Sequence, residues 1–161
     1  MMAGEGDLIS YSQTLPCVFI ETQNHDSILS KTEYIKARMH IDIYGNNDYE
    51  AVGSEEEPIN IEIRGRGNWT WLSYDKKPYK IKLDVGRKLL GMKSNKHWAL
   101  IAHADDITGF YRNTLGFEIS RMMEMDFTSE QRPVEVVING DYPRFILLNR
   151  NHSCGEKSCK Y

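Results

Sequence analysis

The sequence predicts an α+β domain, a mainly antiparallel sheet carrying one substantial helix. Three observations predict it. Apolar and polar residues alternate over several short stretches, the period of strands with one buried face. One stretch, about residues 105–124, carries apolar residues at helical spacing. Asn139-Gly140 separates two apolar runs, a strong short-range hairpin signal.

Residues 1–13 read as a loose lead-in and residues 14–148 as a single domain, with a polar tail over 149–161. The first strand is the apolar run at 15–21. The second lies within 34–44, where Ala37, Met39, Ile41 and Ile43 alternate with Lys36, Arg38, His40 and Asp42. Ile59, Ile61 and Ile63 alternate with Asn60, Glu62 and Arg64 in a third. Tyr79, Ile81 and Leu83 alternate with Lys80 and Lys82 in a fourth. The compact run at 97–102 predicts a buried strand. Asp105 or Asp106 can then cap a helix by accepting an unpaired amide N–H. That helix is expected to reach about Glu124 and to bury Ile107, Phe110, Leu115, Ile119 and Met122 or Met123. The runs at 133–138 and 145–148 form the hairpin.

Composition narrows the function classes. A chain of 161 residues defaults to one domain with a real core. Its net charge of −3 argues against a general binder of nucleic acid or anionic membrane, so any affinity for phosphate must be local. No stretch approaches the ~20 apolar residues of a membrane span. The opening residues lack the basic and apolar regions of a signal peptide, which as written points to a cytoplasmic chain. Cys17, Cys154 and Cys159 form no disulfide framework.

Local positive charge gathers at one place. Arg64-Gly65-Arg66-Gly67 follows a strand, Trp69 and Trp71 come next, and Lys76, Lys77, Lys80 and Lys82 follow. Arginines suit phosphate or carboxylate recognition, and Gly65 and Gly67 let the backbone approach a ligand. Structural readings stand beside this one. Lys80 and Lys82 also fit the solvated face of a strand, and Arg66 fits a cation–π stack on Trp69 or Trp71. The indoles of Trp69, Trp71 and Trp98 suit core or lid packing better than base stacking. Asn68-Trp69-Thr70 matches a glycosylation sequon. A helix cap explains His103-Ala104-Asp105-Asp106 better than a metal site does, and no metal site is expected.

Several motifs in order carry a family resemblance: Leu-Pro-x-x-x-Ile-Glu-Thr, Arg-Gly-Arg-Gly-Asn-x-Thr-Trp, Lys-Lys-Pro-Tyr-Lys-Ile-Lys-Leu, Leu-Leu-Gly-Met, Trp-Ala-Leu-Ile-Ala, Tyr-Arg-Asn-Thr-Leu-Gly-Phe-Glu and Val-Glu-Val-Val-Ile-Asn-Gly-Asp-Tyr. Over roughly residues 14–142 the chain resembles the N-terminal part of the spore coat protein H (CotH) kinase family. The resemblance implies the N-terminal lobe of an atypical protein kinase, with ATP and Mg as cofactors and protein hydroxyls as acceptors. It also implies an extracytoplasmic or cell-surface location. By the kinase analogy Lys82 holds the nucleotide phosphates and Glu118 holds Lys82. Arg64, Gly65, Arg66, Gly67 and Lys80 complete the expected cofactor-binding set.

After Tyr142 the chain departs from the family pattern. A shift of reading frame by one nucleotide, with permissible codons, gives a family-like Gly-Leu-Phe-Phe-Leu-Thr-Glu run. The expectation is a truncated or frameshifted kinase fragment, inactive because the base and metal-binding carboxylates of the family lie in its C-terminal half. Resequencing of the locus tests the frameshift. His152, Cys154 and Cys159 are too few for a structural zinc site. The alternative function is a non-catalytic surface module that recognises an acidic partner or a glycan.

Overall fold

The computed structural model describes residues 14–106, 108, 111–125, 128–141 and 144–150. Seven strands run in chain order: β1 (Cys17–Thr22), β2 (Ile35–Asp42), β3 (Ile59–Gly65), β4 (Tyr79–Arg87), β5 (Asn95–Ile101), β6 (Gln131–Ile138) and β7 (Arg144–Arg150). A short helix, α1 (Trp69–Ser73), lies between β3 and β4, and α2 (Tyr111–Met122) lies between β5 and β6. A single 3-10 turn spans Gln23–His25.

The strands form a closed barrel in the order β1-β2-β3-β4-β5-β7-β6. All neighbours are antiparallel except β1 and β6, which close the barrel in parallel with Cys17 opposite Glu135 and Ile20 opposite Ile138. This corrects the expected α+β sheet lobe with one substantial helix. The reason lies in the strand pattern itself. Every strand turns one apolar row inward: Val18 and Ile20, Met39 and Ile41, Ile61 and Ile63, Ile81 and Leu83, Trp98 and Leu100, Val134 and Val136, Ile146 and Leu148. Curling the sheet on itself buries all seven rows against one another, so this core closes without a helix layer over it. Leu89, Leu90 and Met92 add to the same core, so the Leu-Leu-Gly-Met motif is a packing element.

The helix departs further from expectation. α2 has no buried residue, and Tyr111, Leu115, Ile119 and Met122 are 47–84% exposed. It touches the barrel through Thr114, whose Oγ1 accepts a 2.9 Å hydrogen bond from Gln131 Nε2. Ile107 and Phe110, expected in its apolar face, fall outside the described residues, as do His152, Cys154 and Cys159. Asn149 and Arg150, read from the sequence as tail, belong to β7.

Asn139 pins the parallel seam. It sits at φ 54 and Gly140 at φ 77, left-handed values at the centre of a turn closed by the Asp141 N–H donating to Ile138 O at 3.0 Å. The Asn139 Oδ1 accepts from the Thr22 backbone N–H at 2.9 Å, which ties the β6–β7 turn to the end of β1.

Candidate functional site

Strands β3 and β4 place their polar residues on the outer wall of the barrel. Arg64 lies opposite Lys80, and Glu62 opposite Lys82. Past the end of β3 the chain turns sharply. Gly65 N–H donates to Ser30 O at 2.8 Å and Arg66 N–H to Pro78 O at 3.1 Å, which fixes the Arg64-Gly65-Arg66 backbone between two loops. The outcome is a groove of about 400 Å³ lined by Lys31, Thr32, Arg64, Arg66, Gly67, Asn68 and Lys80. Four of these side chains are cations and none is an anion.

The cations differ in how they are held. Arg64 donates through Nη1 to the carbonyls of Lys31 and Gly65, and its guanidinium lies 5.0 Å from the centroid of the Tyr34 ring. Lys31 reaches Asn68 Oδ1 at 3.4 Å. Among the described residues, neither the Arg66 guanidinium nor the Lys80 ammonium has a hydrogen-bond acceptor or an acidic partner. Burial, and then the neighbouring charge of Arg64, hold the Arg66 guanidinium below its ordinary value. Arginine stays charged under such a shift, so the groove keeps crowded positive charge that an anion relieves.

Of the residues expected from the sequence, Arg64, Arg66, Gly67 and Lys80 meet in this groove. Lys82 does not line it. Lys82 Nζ instead donates to Glu62 Oε2 at 2.6 Å, and it shares the Tyr34 ring with Arg64 from 5.8 Å. Glu118, expected to hold Lys82, is on α2 and pairs with Arg121 one turn along the same helix. No Lys82–Glu118 pair forms. The reason is register: Glu62 is the cross-strand neighbour of Lys82, whereas Glu118 is taken by Arg121 on α2.

The two glycines also have reasons in the packing and the backbone. A Cβ at Gly65 would lie 2.5 Å from ring carbons of Trp71, so this glycine makes room for an indole. Gly67 adopts φ +80, a turn conformation that disfavours a side chain. Trp71 stacks edge-on with Tyr79 at 6.0 Å, and the cation on its face is Lys77 at 5.7 Å; the Arg66 stack considered from the sequence does not form. Lys31, which sequence reading missed, is brought in by the loop before β2. Nothing in the local pattern around Lys31 signals that contact.

The groove fits polyphosphate but not a metal ion. Guanidinium and ammonium groups match phosphate oxygens, while Mg needs carboxylate or other oxygen ligands, and no Asp or Glu lines the groove. Among the described residues no three His, Cys, Asp or Glu side chains cluster as a metal site. Cys17 is buried, and burial chiefly pushes its thiol up to about 12, which removes it as a nucleophile. Among the described residues, no helix is long and apolar enough to cross a membrane.

Residues 62–143 match the family model described as CotH kinase protein, just over half of the chain, and the match includes the end of β3 from Glu62 onward, and β4, α2 and β6 whole. No curated protein matches this sequence. The chain belongs to the kinase-like CotH family.

Proposed function

We propose that this protein binds the polyphosphate chain of ATP in the groove between Lys31, Arg64, Arg66 and Lys80. Membership of the kinase-like CotH family supports this reading, and phosphoryl transfer to protein hydroxyls is the activity that membership suggests. The observation that carries this reading is the lining itself: four cations and no anion around one hollow, with Arg66 and Lys80 unpaired among the described residues. Triphosphate supplies the missing counter-charge. Each charge-assisted hydrogen bond is worth roughly 1.5–3 kcal/mol, so loss of one contact weakens binding about tenfold or more.

Transfer asks for more than phosphate contacts. It needs a metal held by carboxylates and a base aimed at the acceptor. The groove supplies neither, so the reading for this chain alone is binding without turnover.

Calorimetric titration with Mg-ATP and a radiolabelled-ATP transfer assay test both halves. Saturable binding, weakened at least tenfold by Arg66→Ala and by Lys80→Ala, is expected, with no label transferred to protein. Binding unaffected by both substitutions overturns the site. Transfer that survives purification and disappears with Arg66→Ala overturns the binding-only reading.

One observation favours a second reading. Trp69 and Leu72 on α1 are 69% and 76% exposed beside the same groove, an apolar edge that suits a glycan or an acidic protein partner. Glycan or protein binding lost on Trp69→Ala, with no response to ATP, selects it.

A further inference from the structure

A surface helix ordinarily turns its apolar stripe toward the core and its polar face to water. α2 does the reverse. Thr114, Phe117 and Ser120, three residues apart, are its half-buried positions and mark the side that faces the barrel. Leu115, Ile119 and Met122 follow one another at helical spacing on the opposite side, 61%, 47% and 84% exposed. Met123 and Met125, 69% and 58% exposed, extend the apolar surface past the end of the helix.

Hydrogen bonds close that end. Glu124 N–H donates to Arg121 O at 3.0 Å and Met125 N–H to Ser120 O at 3.0 Å, with Glu124 in the left-handed region at φ 53. This pair of bonds is a common helix stop, usually made around a glycine. The methionines therefore stand on an ordered turn. Methionine is unbranched and polarizable, which suits a surface that packs against another.

Large apolar side chains exposed together mark an interaction surface. The charges beside them indicate the partner. Glu118 flanks the stripe and pairs with Arg121 in the same helix. Consider a second α2 laid antiparallel on the first, about a two-fold axis at the level between Ile119 and Ser120. Each Glu118 then lies level with the second copy's Arg121, and four charges alternate in sign along one edge. The same axis lays Ile119 beside its own counterpart and Leu115 against the second copy's Met122 and Met125. A face that answers both its own apolar row and its own charges fits an isologous contact.

We infer that α2 is a self-association face, through which two copies of this chain pair antiparallel by Leu115, Ile119 and Met122. One helix face is small beside the roughly 800 Å² per partner of a standard interface, so the dimer is reversible and depends on concentration. The inference is independent of the polyphosphate groove.

Sedimentation velocity on the wild-type chain tests it. The mass is expected to rise from one chain toward two between about 1 µM and about 100 µM, the range of a weak dimer. Ile119→Lys is expected to weaken association at least about tenfold, by placing an uncompensated charge in the apolar row. Glu118→Arg makes the edge uniformly positive and is expected to weaken association at least about threefold, and adding Arg121→Glu is expected to restore it. Circular dichroism is expected to be unchanged in all three variants, since these side chains lie outside the barrel core. A chain that stays monomeric at every concentration overturns the inference, whatever other molecule the face takes up. So does growth beyond two copies, or association that Ile119→Lys leaves unchanged. Weakening by Glu118→Arg that the double reversal fails to restore overturns the antiparallel pairing.

Discussion

Lys82 Nζ donates a 2.6 Å hydrogen bond to the Glu62 carboxylate directly opposite it on the neighbouring strand. The pair answers each charge with the other. Glu62 is held below the usual carboxylate range, chiefly by that hydrogen bond, and Lys82 is raised by the same contact. A lysine so engaged has less to offer a phosphate than Lys80, two residues earlier on the same face.

Lys82→Ala is therefore expected to leave ATP affinity within about twofold of wild type. Both side chains are more than a third exposed, so solvent screening leaves the pair little weight in stability. Denaturant unfolding and calorimetry on the same sample check the two statements. A tenfold loss of ATP affinity on Lys82→Ala contradicts them.

Gly65→Ala forces a methyl to within 2.5 Å of the Trp71 ring. The expected loss of stability is about 1–3 kcal/mol, the usual cost of overpacking. Trp71→Leu in the same chain should recover part of it, because the two changes act on one contact. A fully additive double-mutant cycle would falsify the clash as the reason for this glycine.

Asn139→Ala removes the acceptor for Thr22 N–H at the β1–β6 seam. The loss is expected at about 1–3 kcal/mol, the cost of leaving a donor unsatisfied. Hydrogen exchange locates it: the Thr22 amide and its neighbours on β1 should lose protection before those on β3 and β4. Uniform loss across the barrel argues against a seam held by this residue.

Acidification is expected to destabilise the fold. Burial first, then Lys80, Lys82 and Lys96, hold His97 below its ordinary value. His103 is lowered too, chiefly by burial, with Asp106 pulling the other way. Groups lowered in this way bind fewer protons folded than unfolded. The stability they contribute is present above the unfolded value near pH 6.5 and is lost as pH falls through it. The urea midpoint should fall between pH 7.5 and pH 5.5, and His97→Gln should flatten the slope. A midpoint that rises on acidification contradicts the assignment.

The strands were legible because alternation is a local property: Ile59, Ile61 and Ile63 face inward whatever sheet they join. Barrel closure was not, because the β1–β6 pairing joins Cys17 to Glu135 across most of the chain, and no local pattern encodes it. The same alternation suits an open sheet under a helix layer or a sheet curled on itself. The spacing of Leu115 and Ile119 suggested a buried helix face, but spacing does not say what lies opposite, and here both are exposed. The Arg64–Lys80 cluster was legible because arginines and lysines on adjacent strands share a face. Its boundary was not, since register alone decides that Lys82 meets Glu62, and a loop brings Lys31 in from outside the motif.

The most direct test of the polyphosphate groove is a residue-resolved NMR titration of the wild-type chain with tripolyphosphate. Saturable shifts should centre on the backbone amides of Arg64, Arg66, Gly67 and Lys80. The amides of Glu21, Arg38 and Lys96 on other parts of the wall should stay still. Shifts spread evenly over every exposed lysine and arginine, or none at Arg66, would contradict the site.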